Sequence, residues 1–79
     1  MGREVYSSSG SIYEGMFKNH EKHGYGRIIY SAEDDRLLYI GEWVHGEKHG
    51  KGKMIYKNGA INDGIWDYGT FDDWMISSY

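Results

Sequence analysis

Apolar and polar residues alternate with a period of two along much of the chain, most clearly from Tyr39 to Gly59. Tyr39, Gly41 and Trp43 share one parity, and Ile40, Glu42 and Val44 share the other. That alternation predicts a strand. The polar run His45-Gly46-Glu47-Lys48-His49 has the composition of a turn. A second strand follows over 50–56, with Gly50, Gly52, Met54 and Tyr56 on one face, and Lys57-Asn58-Gly59 ends it with the Asn-Gly pair typical of tight turns. A hairpin over 39–56 is the expected unit.

Glycine inside a strand normally weakens it, so its density here needs a reason. If the two runs pair, the rings of Tyr39 and Trp43 come to lie near Gly50 and Gly52. A missing side chain leaves room for a flat ring to cover the neighbouring backbone. Trp43 is expected to be the best-packed ring, with Tyr39, Tyr56 and Trp66 around it and Gly50 or Gly52 beneath it.

The unit recurs. Residues 13–30 align with 39–56 without a gap, and nine of the eighteen pairs are identical. A third start stands at Asn62-Asp63-Gly64-Ile65-Trp66, where Gly64 and Trp66 match Gly41 and Trp43. Self-similarity at this period indicates a repeat array. The pattern Y-x-G-x-W-x-x-G-x-x-H-G-x-G-x-x-x-Y-x-x-G, carried by Tyr39, Gly41, Trp43, Gly46, His49, Gly50, Gly52, Tyr56 and Gly59, resembles the MORN repeat (membrane occupation and recognition nexus). The first repeat keeps Tyr13, Gly15, Gly24, Gly26 and Tyr30, but has Phe17 for Trp and His20 for the turn Gly.

The resemblance implies an all-β, single-layer antiparallel meander of successive hairpins. The repeat sheet is expected over 1–71, with full repeats at about 13–30 and 39–59 and partial units at 5–12 and 62–71. Tyr6 to Gly10 reads as the tail of a preceding unit. Trp66 to Phe71 reads as leaving the motif, and 72–79 as an aromatic tail, with a short helix from about Asp72 as one form it could take. Such arrays contact only their neighbours and leave both end strands open.

Seventy-nine residues allow one small domain, and the absence of Cys excludes disulfides and thiolate zinc sites. There is no apolar leader over Met1–Val5 and no run long enough to span a membrane. Met1-Gly2 does not continue as a myristoylation signal, because Tyr6 stands where Ser or Thr is wanted. The formal charge of −3 disfavours a nucleic-acid partner.

No constellation points to catalysis. His23 and His49 hold equivalent positions and are expected to stack one strand pair apart, in a structural role. His20-Glu21-Lys22-His23 is not a zincin motif, and Gly50-Lys51-Gly52-Lys53 lacks the spacing of a phosphate loop. Glu33, Asp34 and Asp35 lack calcium-loop spacing and read as a solvated hairpin tip. The expectation is no enzyme, no cofactor and no metal.

Charge is unevenly placed. Between Arg36 and Lys57 five bases stand against Glu42 and Glu47, a balance of 5 − 2 = +3, whereas 60–79 holds four Asp and no base. Lys51 and Lys53 take the parity away from the rings. By resemblance, arrays of this kind serve as interaction scaffolds in cilia, cytoskeletal structures and membrane junctions. The expected role is a structural subunit, cytoplasmic and of ciliary or cytoskeletal type. It would bind a protein partner, or its own kind, through a sheet edge, a sheet face or the tail residues Phe71, Trp74, Met75, Ile76 and Tyr79. The alternative is an anionic-lipid binder using Arg27, Lys48, Lys51 and Lys53.

Overall fold

A computed structural model describes residues 2–6 and 9–72. The chain folds as expected, into one all-β layer. Seven antiparallel strands lie in sequence order: β1 (Gly2–Tyr6), β2 (Ser11–Lys18), β3 (Glu21–Ile29), β4 (Arg36–Val44), β5 (Glu47–Tyr56), β6 (Ile61–Asp67) and β7 (Thr70–Phe71). Among the described residues there is no helix.

Strand pairing aligns the glycines into a single row. Gly2 pairs with Gly15, Gly15 with Gly26, Gly26 with Gly41, Gly41 with Gly52 and Gly52 with Gly64. The rings lie across this row. Tyr13 and Tyr39 are fully buried. A Cβ built on Gly26 would sit 2.2 Å from the Tyr13 hydroxyl, and one on Gly52 would sit 2.0 Å from that of Tyr39. Each hydroxyl reaches across to donate to its own strand, Tyr13 to the Met16 carbonyl at 2.9 Å and Tyr39 to the Glu42 carbonyl at 3.1 Å. Those carbonyls lie where the register slips, between Gly15 and Phe17 and between Gly41 and Trp43. Gly24 and Gly50 supply the left-handed step opposite each slip, with φ of 86° and 90°.

The ring over Gly52 is therefore Tyr39, not Trp43. Trp43 faces back toward the preceding hairpin: its backbone pairs with Gly24, and its indole N–H donates to the Gly26 carbonyl at 3.1 Å. Trp66 repeats the arrangement one unit on, paired with Gly50 and donating to the Gly52 carbonyl at 3.1 Å. Each tyrosine closes its own hairpin, and each tryptophan joins consecutive hairpins. Trp43 meets both Tyr13 and Tyr39 edge-on, at centroid distances of 5.3 and 5.2 Å. Ile28 and Met54 complete the core, with Tyr6, Phe17, Tyr30, Tyr56 and Phe71 packed around it.

The hairpin turns are shorter than the polar runs suggested. Each has two residues at positive φ: Asn19-His20 (53°, 66°), His45-Gly46 (50°, 81°) and Tyr68-Gly69 (44°, 92°). These signs match the type I′ turn that suits the twist of a hairpin. Glu47, Lys48 and His49, read from sequence as turn, already belong to β5. The third turn corrects the expectation that the motif is left after Trp66. Gly69 follows Trp66 by the same interval as Gly46 follows Trp43, and β7 pairs with β6 through Trp66–Phe71 and Asp67–Thr70.

The long connector at 31–35 is tied down on two sides. Asp34 holds Arg36 through its backbone N–H at 2.9 Å and its guanidinium at 2.8 and 3.0 Å, and that guanidinium stacks on Tyr30. Lys57 crosses from the next connector to the Ser31 and Ala32 carbonyls. These hydrogen bonds from Arg36 hold the Asp34 carboxyl well below its usual range, at about 2. A depressed folded-state pKa adds stability above the unfolded value of 3.8, and that stability is lost as pH falls toward 2. Asp34→Asn should therefore lower the melting temperature at neutral pH. The gap to the parent chain should close between about pH 4 and pH 2 in thermal melts, and a gap independent of pH would contradict this linkage.

Candidate functional site

The sheet has two chemically different faces. On the ring face, Lys22 stands opposite Phe17 and Lys48 opposite Trp43. The Lys22 ammonium lies over Tyr6 at 4.6 Å, and within 5.6 Å of the Tyr13 and Trp43 ring centroids. Lys48 sits 5.8 Å from Tyr39, Trp43 and Trp66. Desolvation lowers both lysine pKa values, while the ring faces attract the cations. The aliphatic stems can cover the rings while the charges stay near water. Burial also raises the pKa of the Tyr39 hydroxyl, which keeps it a donor to Glu42.

This placement separates the basic residues singled out from sequence. Arg27, Lys51 and Lys53 lie on the opposite face, whereas Lys48 belongs to the ring face, so the four do not form one strip. Arg27 is paired with Glu14 at 2.9 Å, and Lys53 stands across from Asp63. The turn reading left the ring-face lysines without a face, because each of their strands begins three residues earlier than the turn composition implied. The usable signal was the identity of Lys22 and Lys48 in the aligned units.

The histidines stack differently from the expected His23–His49 pair. His23 meets His45, at 5.7 Å between centroids, and His49 meets Tyr68 at 4.2 Å. His45 and Tyr68 are equivalent turn positions, so each strand His packs on the turn of the following hairpin. The Tyr68 backbone N–H donates to His49 Nδ1 at 3.2 Å, which requires that nitrogen to be unprotonated. Beside these contacts, Gly46 N–H donates to the Lys22 carbonyl at 2.9 Å and Gly69 N–H to the Lys48 carbonyl at 2.7 Å. The His positions thus belong to a junction between units. Among the described residues no three His, Asp or Glu side chains come together as a metal-binding group.

The repeat thus combines a tyrosine over paired glycines, a tryptophan reaching the preceding hairpin and a turn hooked onto a neighbouring strand. Comparison with protein families matches MORN repeats at residues 13–33 and 39–61. The chain belongs to the MORN-repeat family. These MORN units cover both complete hairpins, and no curated protein matches the chain. MORN repeats are a non-catalytic type with protein-binding and membrane-binding roles.

The remaining candidates divide between described and undescribed residues. Phe71 is part of the sheet, its ring packed on Trp66 at 5.1 Å. Asp72 donates its backbone N–H to the Ile65 carbonyl at 2.9 Å. Trp74, Met75, Ile76 and Tyr79, and with them most of the expected tail helix, lie outside the described residues. On the face away from the rings the sequence singled out only basic residues, yet Val5, Met16, Tyr25, Ile40 and Ile61 all project there and are exposed.

Proposed function

We propose that this MORN-repeat chain is a non-catalytic subunit that binds another protein through the sheet face opposite its aromatic core. Its setting would be a larger cytoplasmic assembly of ciliary or cytoskeletal type. The observation that carries this reading is the concentration of exposed apolar side chains on that one face, including Tyr25 at 58% and Ile61 at 55% exposure. Exposed apolar surface of this kind marks interfaces, and aromatic side chains supply much of their energy.

The lipid-binding alternative rests on Arg27, Lys51 and Lys53, which share this face. The same face also carries the bases Arg3 and Lys18 and the acids Glu14, Glu21, Glu42, Glu47, Asp63 and Asp67, so its charge is 5 − 6 = −1. That gives no net attraction to an anionic surface.

Capture by the tagged full chain, at ~0.15 M and ~0.5 M salt, separates the two. The Debye length shrinks from about 8 Å to well under that over this range. A protein partner held by apolar contact should survive the higher salt and be lost with Tyr25→Ser plus Ile40→Ser. Salt-sensitive binding to phosphatidylserine vesicles, with no protein captured, would replace this reading with the lipid one.

A further inference from the structure

The face opposite the rings carries two complete rows of side chains across β1 to β6. Cross-strand pairing runs Val5–Ile12–Ile29–Leu38–Ile55–Ile61, an unbroken apolar row. The adjacent row runs Arg3–Glu14–Arg27–Ile40–Lys53–Asp63. Side chains alternate across a strand, so both rows project to the same side. Val5 and Ile61, at the two ends of the apolar row, are exposed, and the four residues between them are partly buried.

The order of charges in the second row is the informative part. Read from the opposite end, it is Asp63, Lys53, Ile40, Arg27, Glu14, Arg3. Laid against its own reverse, Arg3 meets Asp63, Glu14 meets Lys53, and Arg27 meets Ile40. No like charges face each other. The apolar row treated the same way sets Val5 on Ile61, Ile12 on Ile55 and Ile29 on Leu38. In the next row, Tyr25 meets Glu42 and Met16 meets Lys51, again with no like charges opposed.

We infer that this face binds a second copy of the chain, through a two-fold axis running along the strands between β3 and β4. Such an axis turns each row onto its own reverse, so the charge order is self-complementary. Isologous two-fold contacts are the commonest way for copies of one chain to associate. This deepens the protein-binding reading by naming the partner. Six strands about 4.8 Å apart and five to ten residues long, at about 3.3 Å per residue, give a face of roughly 800 Å². That is the area each partner contributes to a standard stable interface. Packed sheets lie about 10 Å apart and cross at about 30°. The flexible Arg3, Lys53 and Glu14 side chains can span the few ångströms of offset this puts at the flanks.

Sedimentation equilibrium of the full chain tests the inference. A monomer–dimer equilibrium is expected. Lys53→Glu, which sets two carboxylates face to face, should weaken it at least tenfold, and Glu14→Lys should do likewise. The double variant Glu14→Lys/Lys53→Glu exchanges the pair and should recover most of the affinity. Because Glu14 also pairs with Arg27, Ile12→Thr plus Ile55→Thr provides a second route that keeps β-branched side chains in the strands. It should dissociate the dimer with the circular dichroism unchanged. A chain that stays monomeric at high concentration overturns the inference, as does a dimer indifferent to all four substitutions. A monomer that still captures a foreign protein through Tyr25 and Ile40 would overturn it while leaving the protein-binding reading intact. Failure of both would remove the two together.

Discussion

Gly52→Ala should unfold this protein or come close to it. The methyl group would fall 2.0 Å from the Tyr39 hydroxyl and 2.4 Å from the adjoining ring carbon. Tyr39 has nowhere to retreat, because Trp43 and Trp66 hold it edge-on from both sides at 5.2 Å. The ring must leave its slot, and losing a buried aromatic side chain costs about 3–5 kcal/mol. A chain of this size has a total stability of about 4–12 kcal/mol. Gly26→Ala should behave alike, since its methyl would fall 2.2 Å from the Tyr13 hydroxyl. Gly46→Ala is the control. It meets nothing within 4 Å but sits at φ 81°, so only a left-handed strain of about 1–2 kcal/mol is expected. Thermal melts of the three variants check this. Equal small losses in all three would mean that the tyrosines do not depend on the glycine row.

Trp43→Ala should be the most damaging of the larger-to-smaller substitutions, at about 3–5 kcal/mol. Trp43 is the shared wall of two repeats: it touches the tyrosine of each and bonds the Gly26 carbonyl. Its removal opens a cavity and leaves Gly26 without its indole donor. Trp43→Phe should cost far less, about 1–2 kcal/mol for the hydrogen bond and lost area. Phe17 already occupies the equivalent place and packs on Tyr13 at 5.1 Å. Its neighbour on β1 is Gly2, where a built Cβ would stand 2.9 Å from the Phe17 ring. Denaturant melts of both variants distinguish the wall from a simple apolar filler; an alanine variant as stable as the phenylalanine variant would refute the wall.

The fold was legible because each repeat writes its strands twice. Period-two alternation located the strands, and the aligned units located the pairing. The role of each ring was not legible. Tyr39 and Trp43 share one parity, and parity alone does not say which of them lies over its own hairpin and which over the one before. That depends on the register slips opposite Gly24 and Gly50, a backbone feature that alternation does not encode. The third hairpin was missed for a different reason. Tyr68 hid the turn, although Gly69 kept the interval set by Gly46. The face opposite the rings was hidden most deeply. Val5, Ile12, Ile29, Leu38, Ile55 and Ile61 are scattered through the chain and become neighbours only once the strands pair.

The glycine row also has a mechanical consequence. Six strands cross one line that bears no side chain on either surface, so the sheet carries a built-in crease running perpendicular to its strands. A sheet creased in this way would fold easily along that line if nothing braced it. Tyr13 and Tyr39 are the braces: each lies across the crease with its hydroxyl anchored on the far side of its ring. Stiffness is thus set repeat by repeat, by one phenol each, and an array lengthened by further units would gain a braced segment with every tyrosine and a flexible joint wherever one is lost.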